Sequence, residues 1–376
     1  MMSNPRPRLL YLVSEDWYFL SHRLPMARAA RAAGYDVHVA TRVDEGAGAI
    51  AAEGFTLHPL TWRRGSTDPT DFISAVREVR NVYRALAPDL VHQVAFWPSI
   101  VGSLAATGLR TRRLSALAGM GFAFTSNSPK ARTVRALVRP FLRPLLSGPR
   151  AAVLVQNPDD RAGMSALGIA PNRIFLVPGS GVDADRIDVL PEPPSPITKA
   201  YVGRLLDDKG LRALVAAQAL LTARGENIRL LIAGETDPAN PASIPDAEIE
   251  AWRRQPLVEV LGHVSDVGTV WARAHIAVLP SRREGLPKSL LEAAAYGRAI
   301  VATDVTGCRE IARAEVNALL VPPDDARAIA DAVQKLARDP VLRARFAAAG
   351  RALVEAEFSS ERIGADIVNL YRTMLS

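Results

Sequence analysis

Cysteine is nearly absent from this chain of 376 residues: Cys308 stands alone, so no disulfide can form within it. That fits a reducing cytoplasm. Long apolar runs are missing too. The first, Leu9 to Val13, ends at Ser14-Glu15-Asp16. It is too short for a signal-peptide core or a bilayer span. The expectation is a chain neither exported by that route nor crossing a membrane. Lysine is scarce: Lys130, Lys199, Lys209, Lys288 and Lys335 leave 41 arginines among 46 basic residues. A high-GC codon bias accounts for the excess of arginine, yet it gives a lysine at a special position more weight. Acids number 39, so the net charge is +7. A basic balance suggests acidic partners such as nucleic acid, anionic lipid or phosphorylated small molecules. No nucleic-acid-reading motif accompanies the charge, and nucleic acid is set aside.

What is present is alternation. Short runs rich in Val, Ile and Leu occupy residues 8–14, 35–41, 55–60, 89–94, 113–118, 151–157 and 173–178. Continuous apolar runs suit parallel strands buried on both faces. Helical stretches such as 24–33 and 72–87 lie between them, which is a βαβ pattern. Four prolines between Leu190 and Pro196 interrupt it and read as a linker. The alternation then restarts at 199–203, 229–234, 258–261, 276–280, 299–304 and 318–321. The chain is also too long for one ordinary core. The expected fold class is α/β, with two Rossmann-like domains whose parallel sheets face a central cleft. They span 1–185 and 198–358, with a linker at 186–197. Ligands of such sheets bind at the carboxyl ends of the strands.

Two strand-to-helix turns in the second half carry candidate chemistry. In the first, Gly203-Arg204 ends a strand and Lys209-Gly210 opens a helix. Two cations beside a helix amino terminus make a place for a diphosphate. A solvated loop with two surface charges is the plain alternative. In the second, Glu284-Gly285-Leu286-Pro287 follows the strand at 276–280. Pro287 reads as the first helical residue, and Gly297 as the stop. The amides around Gly285 to Lys288 suit a phosphate or a sugar hydroxyl. Glu292, inside the helix, can accept two hydrogen bonds from a vicinal diol. A well-capped surface helix with two unrelated glutamates is the alternative here.

Together the two turns resemble family 4 of the retaining glycosyltransferases, which have the GT-B fold. The signature is Glu284, seven residues, Glu292, preceded by Leu279-Pro280-Ser281. Gly203-Arg204 with Lys209-Gly210, Gly181-Val182-Asp183, Gly262-His263-Val264-Ser265-Asp266, and Gly307 with Glu310 match as well. Within the family the likeness is greatest to enzymes that extend glycans on polyprenyl-diphosphate carriers, such as the bacterial N-acetylgalactosaminyltransferase of the N-glycosylation pathway. Residues 119–122, 234–238 and 284–289 carry that finer likeness.

The resemblance implies a nucleotide-sugar donor, expected to be a UDP-sugar, in the second domain. Arg204 and Lys209 would hold the diphosphate and stabilise its charge as the sugar leaves. Glu284 would position the sugar, with amides from Gly285 and Leu286 beside Pro287. Glu292 would bind the ribose, and the backbone near Val264 would face the base. Gly203 is counted with the donor-binding residues, and Gly285 would let the backbone approach the ligand closely. No cofactor and no metal are expected, since the two cations do a metal's work beside Asp207-Asp208. The last helix, about 359–376, would cross back to the first domain.

The acceptor side is less legible. Arg23, in a loop after the first strand, would meet an acceptor phosphate, and Trp17 or Tyr18 a sugar ring. The family commonly has a glycine-rich loop there, and this chain does not. Gly119 and Gly121 would offer amides to a phosphate. His92 is an acceptor-side candidate, but the family's second histidine is Val94 here. Residues 128–146 place Arg132, Arg135, Arg139 and Arg143 on one stripe among apolar residues, as in a helix lying on an anionic membrane. Pro140 and Pro144 would bend it. The expectation is thus an enzyme moving a sugar to a membrane lipid-linked saccharide, cytoplasmic and peripheral on the inner face of the cell membrane. A nucleotide-sugar epimerase, a transferase acting on a soluble acceptor, and a sugar-nucleotide-binding protein without turnover are the alternatives.

Overall fold

A computed structural model describes residues 6–62, 68–117, 140–179, 181–237, 240 and 242–376. The chain divides into two compact units, one of residues 1–180 with 360–376, the other of 181–359. In the first unit the strands are β1 (Arg8–Glu15), β2 (Asp36–Arg42), β3 (Thr56–Leu60), β4 (Leu90–Val94), β5 (Arg112–Ala116), β6 (Ala151–Val155) and β7 (Ile174–Leu176). They pair in parallel in the order β3-β2-β1-β4-β5-β6-β7. In the second unit β8 (Thr198–Val202), β9 (Arg229–Ala233), β10 (Val258–Gly262), β11 (Ile276–Leu279), β12 (Ala299–Thr303) and β13 (Ala318–Val321) pair in parallel as β10-β9-β8-β11-β12-β13.

The apolar runs explain the sheets. Every residue of β4, β6, β11 and β12 is buried. Strands covered on both faces leave no position for a solvated side chain, so no alternation shows in their sequence. In each sheet the chain works outward from a central strand, returns, and continues on the other side. The reversal falls between β1 and β4 in the first unit and between β8 and β11 in the second. The carboxyl ends of those neighbouring strands diverge there, leaving room for a ligand.

Three local differences from the sequence expectation matter. The stretch after β1 is a helix, Asp16–His22, where a loop was expected. Pro287 is not the first helical residue but the cap, in extended conformation at φ −73° and ψ 110°, before the helix Lys288–Ala295. The proline-rich segment is held against the second unit: Arg298 donates to the carbonyls of Leu190 and Pro191, and Arg343 makes two bonds to Glu192 at 2.8 and 3.0 Å. The helix Ser360–Leu375 belongs to the first unit, where Ile363, Ile367, Leu370 and Tyr371 are buried with the residues of β1 and β2. Among the described residues no helix is long and apolar enough to cross a membrane.

Candidate active site

The second unit's reversal point is built by two glycine-dependent turns. After β8 the chain passes Gly203 and Arg204, makes a short 3-10 turn over Asp207–Lys209, and enters the helix Leu211–Ala223 at Gly210. Gly210 has φ +71°, and a Cβ there would lie 2.0 Å from the Pro280 carbonyl oxygen. Only glycine lets this turn press against the end of β11. After β11 comes Ser281 to Glu284, then the helix Lys288–Ala295. Gly307, at φ +84°, backs that turn: its Cβ would meet the Glu284 and Gly285 carbonyls at 2.5 and 2.6 Å.

These approaches bring Lys209 and Glu284 together across 75 residues. Lys209 Nζ lies 2.7 Å from Glu284 Oε1, and Ser281 Oγ donates to the same oxygen at 2.7 Å. Their side chains are only 18% and 10% exposed. Stranding one charge of so sheltered a pair costs about 3–5 kcal/mol. Arg204 is a different case. It lies 3.2 Å from Asp237, half exposed, in a pair of the kind worth about 0–1 kcal/mol. Its guanidinium is therefore weakly held, whereas any new partner of Lys209 would have to displace Glu284. The Tyr201 hydroxyl donates to the Arg204 carbonyl at 2.7 Å and holds the backbone there.

Glu292 stands two turns into its helix, 3.2 Å from Lys288 and largely buried. Burial raises its carboxyl above the ordinary glutamate value, and Lys288 partly offsets this. It is not the solvent-facing residue of a plain surface helix. No side chain caps the start of that helix. Gly285 and Leu286 directly follow Glu284 in the chain and precede that helix. Gly203 directly follows β8, donating to the Ala233 carbonyl at 3.0 Å, and Val264 lies just beyond β10, half-buried on the core. Asp207 and Asp208 are engaged by Arg212, Arg282 and Arg283. Among the described residues no three His, Cys, Asp or Glu side chains cluster as metal ligands.

In the first unit the structure corrects two acceptor-side expectations. His92 is completely buried, with Nδ1 2.6 Å from the Tyr371 hydroxyl and its ring stacked on Tyr11 at 5.1 Å. Burial, reinforced by Arg23, pushes its pKa well below the ordinary histidine value. It is a neutral core group seating the last helix, with no surface to offer an acceptor. Arg23 is 2% exposed and reaches the Met26 sulfur at 3.6 Å, so its charge lies inside the unit and not on a loop. Trp17 remains 45% exposed. Gly119, Gly121 and the arginine stripe from 128 to 139 lie outside the described residues; Arg143 continues it on the exposed side of the helical residues 140–146.

Two features escaped sequence reasoning. One is Arg282, whose partners Asp207 and Asp324 are 75 and 42 residues away. The other is Ala95, directly after β4, at φ +76° and ψ 173°, a strained backbone for a residue with a Cβ. It turns the chain into the helix Phe96–Ala105 and leaves Phe96 45% exposed beside the first unit's reversal point. No local pattern announces either one, because both depend on what the sheet places alongside.

Comparison with known proteins agrees with this architecture. Residues 197–339 match the family described as glycosyl transferases group 1, and residues 8–148 match the family described as glycosyl transferase 4-like. A capsular polysaccharide biosynthesis glycosyltransferase of Staphylococcus aureus is 31% identical over 175 residues, which is 46% of this chain and 46% of that protein. The match thus spans about half the length of that relative. The N,N'-diacetylbacillosaminyl-diphospho-undecaprenol alpha-1,3-N-acetylgalactosaminyltransferase of Campylobacter jejuni is 24% identical over 351 residues, covering 88% of this chain and 91% of that one. Among solved structures, sucrose-phosphate synthase from Thermosynechococcus elongatus superposes with a TM-score of 0.81 at 21% identity, over 98% of this chain and 99% of that one. Two parallel Rossmann-like units, the paired turns after β8 and β11, and both family matches place the chain in the group 1, family 4-like glycosyltransferases of GT-B fold.

Proposed function

We propose that the protein transfers a sugar, with retention of anomeric configuration, from a UDP-sugar to a membrane lipid-linked saccharide. The observation that carries this reading is the Lys209–Glu284 contact with Arg204 at the reversal point of the second sheet. The arrangement supplies cations for a diphosphate and a carboxylate for sugar hydroxyls on the two turns that follow β8 and β11. Arg204 and Lys209 hold the diphosphate. As the glycosidic bond breaks, charge grows on the leaving phosphate, and fixed cations there lower the barrier more than they tighten binding. Glu284 accepts from the sugar hydroxyls, and the Gly285 and Leu286 amides steady it. Glu292 takes the ribose diol. The displacement is front-face: the departing phosphate accepts the acceptor's proton, and no covalent intermediate forms on Glu284 or on the Ser281 hydroxyl bonded to it.

A lipid-linked acceptor is supported by the name of the Campylobacter relative and by the basic, apolar segment at 128–146, which would hold the enzyme peripherally on an anionic membrane. The test is incubation with radiolabelled UDP-sugars and a polyprenyl-diphosphate saccharide. Label is expected in the lipid phase, in an α-linked product for an α-linked donor. Isomerised donor with no transfer would identify an epimerase instead. Binding without turnover would leave only a sugar-nucleotide carrier.

A further inference from the structure

We propose that Arg282 is a positioning residue of the donor site, tying the turn that carries Lys209 to the turn that carries Glu284. Three loops that leave the sheet after β8, β11 and β13 meet at this one side chain. Its backbone N–H donates to the Asp208 carbonyl at 2.8 Å. Its Nη1 donates to Asp207 Oδ2 at 2.6 Å, and its Nε to both oxygens of Asp324 at 2.8 and 2.9 Å. Asp207 is shared with Arg212, which makes two further bonds to Glu248 at 2.8 and 2.9 Å. Asp324 has φ +60°, a left-handed backbone that aspartate tolerates better than most residues with a Cβ.

The placement gives this network its consequence. Lys209 is two residues beyond Asp207, and Glu284 two beyond Arg282. The backbone bond to Asp208 and the side-chain bond to Asp207 therefore set the distance across which Lys209 meets Glu284. Single exposed ion pairs contribute little. Here one planar guanidinium bridges two carboxylates from different loops, which a lysine cannot do because its charge is a point on a flexible stem. Arg282 itself is 42% exposed, with its donors directed to Asp207 and Asp324. Its work is to hold Lys209 where a diphosphate needs it.

The inference rests on the reading of Lys209 as the diphosphate cation, and the test separates the two. UDP alone is titrated calorimetrically into the wild type, Lys209→Ala, Arg282→Ala and the double variant. Lys209→Ala is expected to weaken UDP about 10-fold or more, the loss of a charge-assisted contact. In the Arg282→Ala background the same change is expected to cost less than about 3-fold, since an untethered Lys209 contributes little. Equal costs in both backgrounds overturn the positioning role. No effect of Lys209→Ala in the wild type overturns the donor-site reading instead. Arg282→Lys should behave like Arg282→Ala; recovery by lysine would mean Arg282 acts as a plain charge on the ligand. Asp324→Asn, which leaves the arginine in place, should reproduce part of the effect, and it serves if Arg282→Ala does not fold. A change in melting temperature alone, with additive UDP affinities, counts against the proposal.

Discussion

Lys209 and Glu284 satisfy each other's charge at 2.7 Å, so under the proposed function a donor diphosphate would have to take the lysine from the glutamate. That exchange would free the carboxylate for sugar hydroxyls. Glu284→Gln should therefore bind UDP several-fold tighter in calorimetry while transferring sugar ~100-fold more slowly, the scale of one lost transition-state contact. Weaker UDP binding by this variant would contradict the exchange. Lys199 makes a separate prediction. It is fully buried at the start of β8, its amine bonded to Gln218, and burial lowers its pKa to about 7. From about pH 7 up to its ordinary value the unfolded chain holds a proton that the folded chain lacks. Stability should therefore rise with pH across that window. Melting temperatures recorded from pH 7 to 9 should climb in the wild type and climb less in Lys199→Met.

The helix Ser360–Leu375 is keyed by a tyrosine. Tyr371 meets the Tyr11 hydroxyl at 2.7 Å and His92 at 2.6 Å, both completely buried. Tyr371→Phe keeps the ring but leaves two buried polar groups unpartnered, a cost of about 1–3 kcal/mol. Calorimetry should show the melting transition of the first unit lowered, with the second unit's unchanged; an unmoved first transition would rule out the lock. Elements of this kind differ in how far they could be read beforehand. All thirteen strands of the two sheets stand where apolar runs predicted them, with ends displaced by one or two residues. Helices that stop at a glycine, as at Gly297, were equally plain. The helix Asp16–His22 was missed because its cap, Glu15, makes no side-chain bond, so the usual start signal is absent.

Charge is segregated over the molecule as a whole. Between Asp89 and Asp159 the chain has no Asp or Glu, and nine basic residues fall there, more than the entire net charge of +7. Among the described residues, Arg112 opens β5, and Arg150 and Arg173 directly precede β6 and β7, with Arg143 exposed and Phe141 73% exposed. If the basic segment serves a membrane, co-sedimentation with phosphatidylglycerol vesicles should be strong at low salt. It should fall roughly fivefold for each of these arginines replaced by glutamine, at about 1 kcal/mol per charge. Equal binding to neutral vesicles would exclude the electrostatic contribution.

The sequence by itself determined the strands, the two α/β halves, the family, and the presence of glutamates and cations on the turns after β8 and β11. Each of these is written in neighbouring residues: an apolar run, a glycine at a forced turn, a spacing inside one helix. The tertiary structure decided the rest. It buried His92 under a tyrosine 279 positions away, set Lys209 against Glu284 across 75, and drew Arg282 to Asp324 across 42. Parallel sheets bring together the carboxyl ends of strands that are distant along the chain. The partners that meet there share no local pattern from which their pairing could be read.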